Sequence, residues 1–309
     1  MTTVVFTHPA GRGHLTPPGH AERVGRIEAV EAALDAIPGL ERREAPRAEE
    51  ADLLRCHPEA YVERIRAAEP AEGFAQLDPD TFMSPGSFEA ALRAAGGACA
   101  AVDAVLGGEA QNAFSALRPP GHHAERESPM GFCLFGSVAI AAKRALEVHG
   151  LSRVAVLDFD VHHGNGTQDL LWDEARAFFA SSHQMPLYPG TGYANERGAH
   201  GQVLNVPLDP GTGGEEMRAA WGEVILPAAE AFAPELILIS AGFDAHADDP
   251  LAGLEWQVED FRWLTGAICD LAERACGGRV VSTLEGGYDL QALGASVAAH
   301  VEILKERGG

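Results

Sequence analysis

The sequence predicts an α/β fold in which helices cover both faces of a mostly parallel sheet. Three observations carry this. Short β-rich runs alternate with long Ala-rich helical runs over the whole length. Each suspicious polar cluster follows a strand, as expected where ligands bind beyond the carboxyl ends of parallel strands. No internal repeat, low-complexity tract or linker interrupts the 309 residues, so the chain reads as one domain over 1–309. Hydrophobic residues make up 46% of it, ample for a large core.

The elements follow in order. Val4–Phe6 is the first strand, and the segment around it lacks the basic start and long apolar stretch of a signal peptide. Val24, Ile27, Val30, Leu34 and Ile37 recur at spacings of three and four, the stripe of a packed helix. Residues 87–106 are Ala-rich and helical. Strands over Asn112–Leu117 and Val154–Phe159 flank a helix at 137–149, which Gly150 stops. Further strands fall at Ala177–Ser181, Leu236–Ser240 and Val280–Leu284. The segment 214–232 is helical except for Pro227, which should break or kink it. Helices over 256–275 and 289–306 complete the chain. Two loops, about 68–86 and 183–202, exceed the usual connection length and read as functional rims.

Composition narrows the function. A formal net charge of -22 argues against unaided nucleic-acid binding and would attract cationic ligands, although solubility alone also accounts for it. No apolar run approaches ~18 residues, so no transmembrane helix is expected. Five cysteines form an odd set without a CxxC pair and read as reduced thiols of a cytoplasmic protein.

Chemistry concentrates at four places. Asp158-Phe-Asp-Val-His-His-Gly-Asn-Gly-Thr-Gln-Asp169 follows an apolar run, and in an extended strand Asp158, Asp160 and His162 share one face. Burying them calls for a divalent metal, and two oxygens plus a nitrogen suit zinc; a simple strand-end turn is the competing reading. Arg118-Pro-Pro-Gly-His-His-Ala124 fixes two adjacent histidines, one of them a candidate general base, or else a solvated turn. Asp244, in Ser240-Ala-Gly-Phe-Asp-Ala-His246, either completes the metal site or caps the next helix. Tyr288, after Leu284-Glu-Gly-Gly, is an oxyanion donor or a packing residue.

Taken together, in order and spacing, RPPGHHA, DFDVHHGNGTQD, SAGFDAH and LEGGYDL resemble the zinc-dependent histone deacetylase family, including its bacterial deacetylase-like and acetylpolyamine amidohydrolase branches. The resemblance spans about His14 to Leu304. It implies the single-domain arginase/deacetylase fold and a zinc-dependent deacetylase. Asp160, His162 and Asp244 would then ligate one zinc ion. His123 would be general base and acid with His122 beside it, oriented by Asn165 and Asp158 respectively. Tyr288 would hold the oxyanion formed when a metal-activated water attacks. Gly131, Phe132, Tyr188 and Leu251 would line the substrate channel, and Arg23 would face the acetate exit. Potassium would be held by Asp158, Asp160 and the Ser181 hydroxyl, with backbone carbonyls. The family's HPER stands here as His20-Ala-Glu-Arg23, a change remote from the chemistry. Asn165 replaces the aspartate of some branches, which should leave His123 less basic.

The expected substrates are acetyl-lysine peptides or proteins, with acetylpolyamines or other small amides as the alternative. Leu251, seven residues after Asp244, lacks the acid that polyamine-selective relatives carry near the channel mouth, which favours acetyl-lysine. A dimanganese ureohydrolase would lack RPPGHH and EGGY. A non-catalytic acyl-lysine binder would not need an intact base and tyrosine. Neither nucleic acid nor membrane is an expected partner, and a homo-oligomer is compatible with the sequence. His183 and His246 have no assigned role.

Overall fold

The computed structural model of the chain describes residues 2–308. Strand β1 (Thr3–Thr7) leads to helix α1 (Val24–Asp35), whose predicted stripe is buried at Ile27, Val30 and Leu34. Strand β2 (Glu41–Glu44) pairs parallel to β1 at the sheet edge. Its sequence, Glu-Arg-Arg-Glu, carries no apolar signal, which is why sequence reasoning misses it. Helices α2 (Glu50–Leu53) and α3 (Glu59–Ala68) follow. The long loop after α3 contains a two-residue hairpin, β3 (Ala75–Gln76) with β4 (Phe82–Met83). Then come α4 (Ser87–Leu106), β5 (Asn112–Ser115), α5 (Ser137–Glu147), β6 (Val154–Asp158), α6 (Asn165–Leu171), β7 (Ala177–Gln184) and β8 (Val203–Leu208). β8 also escaped the sequence reading.

Pro227 does not end its helical segment, but the regular α pattern is broken just before it. The segment runs as α7 (Gly214–Ala219), one π turn (Ala220–Ile225) and α8 (Leu226–Phe232). The wider turn accommodates the missing N–H and the proline ring while the segment stays helical. β9 (Ile237–Ala241), α9 (Val258–Cys276), β10 (Val280–Leu284) and α10 (Leu290–Gly308) close the fold.

The eight-stranded sheet has the order β2-β1-β5-β10-β9-β6-β7-β8, and every pairing is parallel. Alternate residues of each central strand feed two cores. Val154, Val156 and Val281 join α2 to α5 on one face. Ala155, Leu157 and Val280 join α1, α9 and α10 on the other. Apolar side chains on both faces are what a fully covered parallel sheet requires. Among the described residues, no helix is long and apolar enough to cross a membrane.

A buried charge cluster joins the N-terminal loop to the ends of β5 and β10. Glu22 accepts from Arg118 Nε at 2.6 Å and also from Arg118 Nη2, and from Arg26 Nη1 at 3.1 Å. Arg118 in turn donates to the carbonyls of Gly11 and His14. Arg26 donates to those of Glu285 and Gly287. Burial disfavours the charge of Glu22, but Arg118 and then His14 outweigh it and hold the carboxyl well below the usual carboxylate range. Glu22→Ala would strand two buried guanidinium groups, and breaking such a cluster typically costs about 3–5 kcal/mol. Urea denaturation of the variant should show a loss of that order; a loss below about 1 kcal/mol, the worth of a surface pair, would contradict this account.

Candidate active site

The four motif loops leave four neighbouring strands, β5, β10, β9 and β6. Sheet topology thus gathers residues that lie up to 166 positions apart (288 − 122). β6 ends at Asp158, and extended alternation ends with it. Asp158 Oδ1 then accepts from Asp160 N at 3.1 Å, and Asp160 Oδ1 from His162 N at 2.9 Å. These successive side-chain turns send Asp160 and His162 toward β9, while Asp158 turns to His122. The shared strand face expected of all three is therefore replaced by a divided arrangement. From β9, Asp244 is fixed by Val161 N, which donates to its Oδ1 at 2.9 Å. From β10, Gly286 N donates to Asp160 Oδ2 at 2.8 Å. A side chain at Gly286 would put its Cβ 2.7 Å from Asp244 Cγ, so only glycine allows this approach.

Asp160, His162 and Asp244 are buried, and one donor atom from each lies within 4.8 Å of the others. His162 Nδ1 is 3.1 Å from both Asp160 Oδ1 and Asp244 Oδ2. Burial works against a charged imidazole here, but the two carboxylates hold the His162 pKa up to about 10. The donor set thus demands positive charge at one point. A zinc ion in place of that proton fits, with bonds of about 2.0–2.2 Å to nitrogen and oxygen.

The two histidines after β5 are driven apart electrostatically. Their rings lie 4.0 Å apart. His122 Nδ1 is 3.0 Å from Asp158 Oδ2, and its Nε2 is 3.7 Å from Asp160 Oδ2. Burial disfavours its charge, but Asp160 and Asp158 outweigh burial and hold its pKa well above the ordinary value. His123 Nδ1 is 2.7 Å from Asn165 Oδ1. Burial, then the charges of His122 and His162, push the His123 pKa well down. One imidazole is charged and the next is neutral, the pattern that separates acid–base roles.

Sequence reasoning missed Glu285. Its carboxylate accepts from Gly121 N at 2.7 Å and His122 N at 3.1 Å, which fixes the histidine loop. Burial pushes its pKa up to about 7. The signal was present, because a lone acid directly follows the apolar run of β10.

A cavity of about 230 Å³ leads to these groups. Its inner residues are His123, His162 and Tyr288, all buried. All four predicted channel residues, Gly131, Phe132, Tyr188 and Leu251, line it. Phe132 packs edge-on to Tyr288 at 5.7 Å, and Tyr188 edge-on to His123 at 5.2 Å. Phe132 adopts φ 69, a left-handed conformation unusual for a bulky residue and of the kind stored at functional sites. Gly131 backs onto His123: a Cβ there would lie 2.6 Å from His123 Cγ. Asp80, on the 68–86 loop, also lines the cavity and accepts from Gly131 N at 3.2 Å. Burial and Asp78 push its pKa up to about 6.

One carboxylate, Asp249, sets both Tyr288 and Leu251. Its Oδ2 accepts from Tyr288 N at 2.7 Å and its Oδ1 from Leu251 N at 3.0 Å. Burial drives the Tyr288 phenol pKa well above its ordinary value, so it stays a donor. The arginine against this tyrosine is Arg26, 4.8 Å above its ring. Arg23 is exposed at the start of α1; the helix turns the arginine three residues later inward, correcting the expected assignment. Ser181 lies opposite Asp158 in register, and its hydroxyl is 2.9 Å from His183 Nδ1. His183 Nε2 lies 3.0 Å from Gly192 O, so this histidine ties down the loop that carries Tyr188. His246 Nδ1 accepts from Asp248 N in a local turn.

Residues 20–304 match the histone deacetylase domain family. The chain is 45% identical over 293 residues to the histone deacetylase-like amidohydrolase of Pseudomonas aeruginosa, covering 92% of this chain and 77% of that protein. It is 40% identical over 299 residues to a probable deacetylase of Archaeoglobus fulgidus, covering 94% and 82%. The crystal structure of the HDA15 HD domain superposes with a TM-score of 0.93 at 33% identity, over 99% of this chain and 88% of that one.

Asp160→Asn should abolish stoichiometric zinc retention, measured by elemental analysis, while the circular dichroism of the fold persists. In the wild type, His162 must surrender its proton to bind metal. Apparent zinc affinity should therefore rise about tenfold per pH unit between pH 6 and 8. A pH-independent affinity in a chelator competition would contradict the proposed ligand set.

Proposed function

The chain belongs to the histone deacetylase family, and from that premise we propose that it hydrolyses the side-chain amide of acetyl-lysine in peptides or proteins, with zinc as its metal. The observation that carries this reading is the channel. Its walls are the aromatic rings of Phe132 and Tyr188, its outer residue is the uncharged Leu251, and it ends on His123, His162 and Tyr288. Such a passage suits an alkyl stem that presents an amide at its inner end.

Asp160, His162 and Asp244 would hold the zinc ion, which when bound supplies Lewis acidity to the amide carbonyl and lowers the pKa of water. The remaining work falls to the chain. His123 is neutral, and with its Nδ1 proton donated to Asn165 its Nε2 is free to take the proton of the attacking water. The same nitrogen then protonates the departing amine, giving acetate and lysine. His122, charged between Asp158 and Asp160, holds positive charge beside His123 and, with burial, keeps it neutral. The Tyr288 hydroxyl donates to the developing oxyanion. Its backbone is pinned by Asp249, so little rearrangement is needed.

A second reading, acetylpolyamine hydrolysis, draws support from the Asp80 carboxylate in the channel wall and from the net charge of -22. Leu251 weighs against it, because a second ammonium emerging beside it would meet no charge there.

A panel of acetyl-lysine peptides, acetylspermidine, acetylputrescine and acetylcadaverine tests the proposal. The peptides should have the highest kcat/KM, and preference for any acetylpolyamine would overturn the substrate assignment. Tyr288→Phe should lower kcat by about 10²–10³ while zinc content is unchanged; wild-type turnover would place the oxyanion donor elsewhere. Leu251→Glu should shift relative kcat/KM toward acetylspermidine by about tenfold or more, since a carboxylate about 4 Å from an ammonium is worth roughly 1–4 kcal/mol. An unchanged ratio would show that position 251 does not read the substrate.

A further inference from the structure

Glu125 stands two residues after His123 and has no part in the mechanism above. Its backbone is held in a turn, with Glu125 N donating to Ser128 O at 3.0 Å. The next residue is anchored as well, because Arg126 N donates to Asp169 Oδ2 at 2.8 Å. The Glu125 side chain accepts from Asn165 Nδ2 at 2.8 Å. Asn165 Nδ2 also lies 3.3 Å from Met130 Sδ, a weak acceptor. At its other end, Asn165 presents Oδ1 to His123 Nδ1 at 2.7 Å. Three side chains thus form one line: Glu125, Asn165, His123.

An amide can be turned half way round with almost no change in shape, and the two orientations have opposite chemical consequences. With Oδ1 toward the imidazole, His123 keeps its proton on Nδ1 and offers a lone pair at Nε2. With Nδ2 toward the imidazole, Nδ1 must accept, and the proton of the neutral ring moves to Nε2. A ring in that second form cannot take a proton at Nε2. His123 by itself tolerates either arrangement, since neutral imidazole donates from one nitrogen and accepts at the other. An ionised carboxylate tolerates only one, because it can only accept.

We infer that Glu125 is a positioning residue: it locks the Asn165 amide in the orientation that leaves His123 Nε2 free as the base. The requirement is peculiar to an amide. A carboxylate at position 165 would present two equivalent oxygens and would need no such lock. The inference rests on His123 being the base of the proposed deacetylase. Glu125 is well placed for substitution, because it is only partly buried and borders an open groove of about 560 Å³ alongside Arg64, Asp78 and Met130. Truncating it opens no void in the core.

The test is a set of variants assayed on a fluorogenic acetyl-lysine peptide in the zinc-loaded enzyme. Glu125→Leu removes the acceptor and should lower kcat about tenfold (about 1.4 kcal/mol) with KM little changed. Glu125→Gln keeps the shape and an acceptor oxygen but adds a competing donor, so it should recover only part of that loss. In an Asn165→Asp background, Glu125→Leu should cost nothing further. Equal losses in the wild-type and Asn165→Asp backgrounds would mean a merely structural role, and no loss in either would mean no role; both results overturn the inference. A second readout needs no turnover. In metal-free protein carrying ¹⁵N-labelled histidine, His123 should shift from the Nδ1–H toward the Nε2–H tautomer on Glu125→Leu, with its signal assigned by its loss in His123→Gln. An unchanged tautomer overturns the inference as well. Failure here with an active wild type would leave the deacetylase reading intact. An inactive wild type would remove that reading while the tautomer measurement still decides the role of Glu125.

Discussion

Negative charge held away from water is the constraint on which this site is built. Asp158, Asp160 and Asp244 are fully buried where β6 and β9 end. Burial acts on each to favour the neutral acid, and an unpaired buried carboxylate is very costly. Every neighbouring feature answers that demand. Backbone amides of Asp160, Val161, His162 and Gly286 donate to the carboxylates. Two imidazoles, His122 and His162, stand between them as positive charge or as its substitute. A divalent cation held by Asp160, His162 and Asp244 would complete the same balance.

From this charge balance the division of labour between the histidines follows. His122 sits against two carboxylates and stays charged. His123 faces an amide, with His122 and His162 nearby, and stays neutral. Neither property belongs to histidine as such. Both are set by which strand end each ring meets, and hence by the sheet order. The buried Glu22–Arg118–Arg26 cluster plays a related part further out. It ties the N-terminal loop to the segment that follows β5 and to the Tyr288 turn, with Arg26 over the phenol ring.

Much of the fold and most of the site were legible in the sequence. The central strands are apolar on both faces, so β5, β6, β9 and β10 announced themselves to within about two residues at each end. The charged edge strand β2 and the mixed β8 did not, since an edge strand buries little and its pairing is invisible without its neighbour. Pro227 announced a disturbance of its helix but not its form, a π turn that local propensity does not foresee. In the site, Asp160, His162, Asp244, His122, His123 and Tyr288 were found by motif, and the structure brings them together. The division between Asp158 and Asp160 came from the family resemblance and not from strand alternation, because it depends on side-chain turns beyond the strand. Glu285 and Asp249 went unassigned for a related reason. Each acts by accepting backbone N–H groups from remote loops, a contact that leaves no spacing pattern in the chain. Arg26 replaced Arg23 because α1 decides which arginine faces inward.

The most direct measurement is X-ray diffraction from crystals grown with zinc, with anomalous data collected on both sides of the zinc absorption edge. The account predicts one anomalous peak per chain, within about 2.0–2.2 Å of an oxygen of Asp160, a nitrogen of His162 and an oxygen of Asp244. No peak among those three residues, or a pair of metal peaks there, would contradict it.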